Sequence, residues 1–130
     1  MSSTGGEPQA QGKRVPGPRY ALDEHRHLFR LALVTKTRAT LKVCDRLGVG
    51  EPAAEAYILR ALRTLVPERY CHTKELPWDP VVTADVYGLI DQHGDWYLKF
   101  YMDAGRFVVC SCHEPEYPMT CQDGTVVRPQ

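Results

Sequence analysis

Residues 95–113 read DWYLKFYMDAGRFVVCSCH. Large apolar side chains alternate with Tyr, Lys and small residues, the pattern breaks at Ala104-Gly105, and the alternation resumes. Period two on both sides of a glycine turn predicts an antiparallel hairpin with strands at about 96–102 and 106–113. Upstream, ADVYGLID predicts a third strand at 84–91, joined through a turn at His93-Gly94. Alternation sorts the three strands into two faces. Trp96, Leu98, Phe100, Met102, Phe107, Val109, Leu89 and Tyr87 form the core face. Tyr97, Lys99, Tyr101, Val86, Gly88, Ile90, Val108, Cys110 and Cys112 lie opposite. A helix over the second face would bury Lys99, so that face is expected to be open. Strict alternation sets His113 on the core face, unless the strand end bulges.

Working outward, 21–34 (ALDEHRHLFRLALV) has helical spacing with acids in its first turn. A second helix is expected from Thr37, a candidate N-cap, with Leu41, Cys44 and Leu47 on one face and Gly48 as its stop. A third has Pro52 in its first turn and Ile58, Leu59, Leu62 and Leu65 on one face, and stops at Pro67. Residues 71–83 (CHTKELPWDPVVT) read as a loop punctuated by prolines. The expected class is α+β, with helices packed on one face of an antiparallel sheet. A Gly/Pro-rich tail over 1–18 is expected to be disordered. A domain follows over 19–117, and then a C-terminal extension over 118–130 with at most one short strand near Thr125–Val127.

The composition is ordinary for a 130-residue chain, 43% hydrophobic and 25% charged, with formal net charge zero. Residues 20–76 carry ten Lys/Arg against seven Asp/Glu, and 77–130 carry three against eight. Any phosphate contact must therefore come from local placement of cations. No apolar run approaches the ~20 residues of a membrane span. No apolar signal core opens the chain, so a cytoplasmic location is expected. Five cysteines fit reduced thiols. Cys110 and Cys112 have strand spacing rather than that of a zinc knuckle, so no metal or cofactor is expected.

Two tyrosines flanking a lysine on a sheet face suit plain solvation. They also suit nucleic acid, where rings stack on bases and the ammonium meets phosphate. Several further stretches occur in order: TRATLKVCDRLGVG (37–50), AYILRALRTLVPERY (56–70), ADVYGL (84–89), WYLKF (96–100) and FVVCSCH (107–113). On these the chain resembles the MqsR-type toxins, RelE-like ribonucleases of bacterial toxin–antitoxin systems, over roughly residues 22–113. The resemblance implies a RelE-like fold that cleaves messenger RNA without metal and is silenced by a cognate antitoxin protein. The family's tyrosine and lysine fall on Tyr97 and Lys99. Its glutamine falls on Ala84 and a further lysine on Cys71, with Lys74 three residues on. The basic residue closing its last strand is His113 here. Tyr97, Lys99, Lys74, His113 and His72 are thus the candidate catalytic residues, and Tyr101, Tyr87 and Arg106 candidate RNA contacts. The departures at Ala84 and Cys71 leave an alternative, a degenerate fold that binds protein or RNA without cutting.

Overall fold

The computed structural model describes residues 14–15, 17–26 and 33–130. Its main sheet contains β1 (Arg14–Val15), β2 (Leu33–Thr35), β3 (Tyr70–Leu76), β4 (Asp79–Asp91), β5 (Gly94–Asp103) and β6 (Arg106–His113). The strand order is β1-β3-β4-β5-β6-β2. The four long strands are mutually antiparallel, and only β2 runs parallel to its neighbour. The helices are α1 (Leu22–His25), α2 (Thr37–Leu47) and α3 (Glu51–Thr64). Among the described residues no helix is long and apolar enough to cross a membrane.

The three predicted strands are present, and their two faces sort as alternation requires up to a bulge in β6. The first turn is Gln92-His93 rather than His93-Gly94, because Asp91 pairs with Gly94. Tyr87 therefore faces Leu98, and Leu89 faces Trp96. A His93-Gly94 turn would have set Tyr87 opposite Phe100 and Leu89 opposite Leu98, so the shift is two residues, which preserves both faces. The second turn is Ala104-Gly105 with φ of 52° and 76°, the left-handed pair of a type I′ hairpin.

Three segments differ from expectation. Residues 33–35 are strand, not helix. β-branched Val34 and Thr35 extend along the free edge of β6, where Val34 pairs with Val108. Residues 27–32 of the same predicted helix lie outside the described residues. The predicted loop at 71–83 is instead a hairpin turning at Pro77-Trp78, with Leu76 opposite Asp79. It lacked a strand's alternation because polar residues occupy buried positions on both of its faces: Thr73, Lys74 and His72 are all buried. In the expected tail, 1–13 and 16 lie outside the described residues, but Arg14 and Val15 pair with Lys74 and Thr73. Asp85 fastens the chain just beyond, its carboxylate accepting the Arg19 and Tyr20 N–H groups at 2.8 and 2.9 Å and the Thr73 hydroxyl at 2.6 Å. Burial raises its pKa although these donors oppose the shift.

Helices α2 and α3 cover the core face. Lys36, not Thr37, is the N-cap of α2, and Gly48 closes it in the left-handed region with φ of 68°. Its buried stripe is Ala39, Thr40 and Val43, with Cys44 and Leu47 partly buried, while Leu41 faces out. From α3, Ala54, Tyr57, Ile58, Ala61 and Leu62 point inward at i, i+3, i+4, i+7 and i+8. Arg26 donates to the Leu62, Arg63 and Leu65 carbonyls that end α3, a cationic cap on its negative pole. These side chains enclose Trp96, Leu98, Phe100, Phe107 and Val109. Arg46 lies 4.2 Å over the Trp96 ring and donates to the Asp95 carbonyl, tying α2 to β5.

The opposite face is not open. A second hairpin, β7 (Met119–Thr120) with β8 (Val126–Val127), folds back across it. Met119, Cys121 and Val127 pack on Val86 and Tyr97. Gly88 permits this contact. A Cβ there would meet Cys121 Sγ and Val127 Cγ1 at 2.9 Å. Gly88→Val is therefore expected to lift the hairpin at a cost of about 1–3 kcal/mol. Urea denaturation and maleimide labelling of buried Cys121 would report it. Unchanged stability with Cys121 still protected would mean that the hairpin is not seated on Gly88.

Candidate active site

A bulge in β6 decides which side chains share the second face. Lys99 pairs with Ser111 and Phe100 with Val109, so Cys110 is an extra residue with no partner on β5. Beyond it the alternation inverts. Cys112 turns into the core, where burial pushes its thiol up to about 12. Ser111 and His113 turn to the face of Lys99 and Tyr97. This corrects the expected sides of Cys112 and His113.

Three rows now cross the sheet. Gly88, Tyr97 and His113 form the first; His72, Val86, Lys99 and Ser111 the second; Lys74, Ala84, Tyr101 and Val108 the third. The His113 ring lies flat on that of Tyr97, with centroids 4.9 Å apart and planes 9° from parallel. His113 Nδ1 is 2.7 Å from the Glu114 carbonyl oxygen. A carbonyl only accepts, so Nδ1 carries the proton and the neutral ring keeps Nε2 as its acceptor. Burial lowers the His113 pKa, aided by the charges of Lys42 and Lys99 and opposed by the Glu114 carbonyl and Glu116. The ring is therefore neutral at pH 7.

His113 and Lys99 share the wall of a cleft of about 270 Å³. Arg38 and Lys42, one turn apart on α2, line it too, with Ser111 of β6 and Trp78 of the β3–β4 turn. Glu116 is its single carboxylate. A recess of about 30 Å³ adjoins it, lined by Tyr97, Lys99, Ser111, His113, Glu116 and Tyr117. Lys99 is only 6% exposed, with its stem between Val86 and Ser111, and its ammonium has no hydrogen-bond or ion-pair partner among the described residues. Three basic side chains against one carboxylate make this a site suited to an anion. A neutral imidazole beside them adds a proton acceptor.

Of the predicted catalytic residues, the structure brings Tyr97, Lys99 and His113 together. His72 and Lys74 share their sheet face but stand two strands away from β5, roughly 10 Å by strand spacing. Lys74 is fully buried, its ammonium donating to the Tyr117 hydroxyl at 3.2 Å. Neither lines the cleft. The candidate RNA contacts disperse. Tyr87 is buried in the core, stacked on Phe100. Tyr101 is buried with Leu76, Ala84 and Val108. Arg106 sits at the far hairpin, 3.5 Å from Asp103. Sequence reading missed Arg38, Lys42, Trp78, Ser111 and Glu116. The basic pair at i, i+4 on a predicted helix was the available signal. The chain matches no protein-family model, and no curated protein is significantly similar to it.

Proposed function

We propose that this protein is a metal-independent endoribonuclease, the toxin of a toxin–antitoxin pair, acting on messenger RNA in the cytoplasm and held silent by a cognate antitoxin. One observation carries the reading. A neutral histidine stacked on Tyr97 shares a cleft with a buried lysine and a basic helix pair. The resemblance to the MqsR-type toxins is consistent with it, since their tyrosine and lysine fall on Tyr97 and Lys99.

RNA brings its own nucleophile, so the chemistry needs a base, charge neutralisation and an acid. His113 Nε2 takes the 2′-hydroxyl proton as the 2′-oxygen bonds to phosphorus. Lys99, Arg38 and Lys42 stabilise the phosphorane charge. The bond from phosphorus to the 5′-oxygen then breaks, and that oxygen takes a proton from the Lys99 ammonium, leaving a 2′,3′-cyclic phosphate and a 5′-hydroxyl. Tyr97 is a positioning residue that fixes the imidazole plane.

The test is incubation of the purified, antitoxin-free protein with messenger-length RNA in EDTA, followed by sequencing of the cut ends. Discrete cuts bearing 5′-hydroxyls are expected. Intact RNA with a folded protein would sink the nuclease reading. It would favour the second one, a module that binds RNA or protein without cutting. Ala84 supplies no polar group where the family has glutamine, and Lys74 is buried away from the cleft. These two features favour that reading.

A further inference from the structure

Trp78 is the largest of the exposed apolar side chains, among which are also Leu41, Val66, Val81 and Ile90. It is 63% exposed and belongs to none of the three apolar clusters. It occupies a two-residue turn, where small polar residues or glycine do the conformational work, so the turn does not need an indole. Nor does the core. Yet Trp78 lines the same cleft as Arg38, Lys42, Lys99, Ser111 and His113. A flat apolar surface beside a cluster of cations matches a nucleotide, which carries a flat base on a charged backbone.

We infer that Trp78 is a base-stacking subsite, holding an unpaired nucleobase of single-stranded RNA next to the phosphate gripped by Arg38, Lys42 and Lys99. The inference rests on the ribonuclease reading and deepens it by naming the substrate as single-stranded. A base inside a duplex is already stacked on both faces and offers none to the indole. Stacking tolerates any base, so the subsite gives affinity and register rather than base identity. Charge complementarity favours RNA over a protein partner at this rim, since the surrounding side chains are three cations and one carboxylate.

Intrinsic fluorescence tests this cleanly. The chain has two tryptophans, and Trp96 is fully buried beneath Arg46. Titration of the full chain with a 2′-O-methyl RNA oligonucleotide, which cannot be cut, is expected to quench Trp78. Trp78→Ala is expected to weaken binding roughly 5- to 100-fold, while Trp78→Phe keeps most of it. The salt dependence separates stacking from charge. Its slope should be unchanged in Trp78→Ala but fall by roughly 0.7–1 in Lys42→Ala. An oligonucleotide with abasic positions should bind wild type and Trp78→Ala alike.

RNA binding undiminished in Trp78→Ala would overturn the subsite and leave the ribonuclease reading standing. The same holds if Trp78 were instead buried by an antitoxin while RNA affinity stayed unchanged. Failure of the wild type to bind RNA at all would overturn both.

Discussion

His113→Ala is expected to lower RNA cleavage by roughly 10²–10⁴-fold, the usual contribution of a positioned general base. The variant should remain folded, because the ring is half-buried at a strand end and its partner Tyr97 stays enclosed by Met119, Cys121 and Val127. His113→Asn is the sharper control. It keeps a donor for the Glu114 carbonyl and has no proton acceptor of useful basicity. If Asn restores activity, the residue holds the strand end and does not move a proton. The pH dependence gives a second, independent reading. The folded-state pKa of His113 lies below the ordinary histidine value, chiefly through burial. Cleavage should therefore be near its plateau at pH 7 and fall on an acid limb lying below about 6.5. Stability should move the same way. The unfolded chain binds the proton more tightly, so His113 costs nothing above the unfolded pKa. It subtracts stability as pH falls from there toward the folded pKa. The difference in denaturation midpoint between wild type and His113→Asn should be constant near pH 8 and move against wild type as pH falls toward 5. An acid limb lying above the ordinary histidine value would contradict His113 as the base.

The way this site was, and was not, legible in the sequence has a physical origin. WYLKFYM announced a strand because its apolar residues fall on every second position, and a register error of two residues cannot disturb that; that its second face is also buried was not legible there. The bulge at Cys110 left no such mark. Ser111 and Cys112 are both small, so exchanging their sides leaves no mark in the pattern and the alternation reads as unbroken. Only pairing with β5 reveals that His113 and Tyr97 face the same way. Strand β3 escaped notice for the opposite reason. Thr73 and Lys74 are fully buried, and their hydroxyl and ammonium are held by long-range partners such as Asp85 and Tyr117. No local pattern encodes partners this far apart in the chain. The β7–β8 hairpin was half hidden: the short strand expected near Thr125–Val127 is present as β8, but neither its partner Met119–Thr120 nor the fold-back across the sheet was legible. Two-residue strands separated by turns carry no periodicity, and the clue was Gly88, a missing side chain where Cys121 and Val127 needed room.

Lys99→Met is expected to raise stability while nearly abolishing cleavage, and the combination is more telling than either effect. Lys99 sits on a central strand at 6% exposure, between Val86 and Ser111. Its stem packs like an aliphatic chain and only its tip meets the cleft. Holding an ammonium there forfeits hydration that no carboxylate among the described residues replaces. Methionine fills a similar volume without a charge, so the variant should gain on the order of 0.5–2 kcal/mol in urea denaturation. Arg38, Lys42 and Lys99 also repel one another across the cleft, which adds to the gain. The same charge is the proton donor to the 5′-oxygen in the proposed reaction. Its removal should cost roughly 10²–10³-fold in kcat, as the loss of one oxyanion donor does elsewhere. A residue kept for packing would show the reverse, with stability lost and activity held. If both fell together, Lys99 would be structural and the site would have to be rebuilt around Arg38 and Lys42. If stability rises as cleavage disappears, the fold carries a destabilising charge in its central strand for the sake of the chemistry in the cleft.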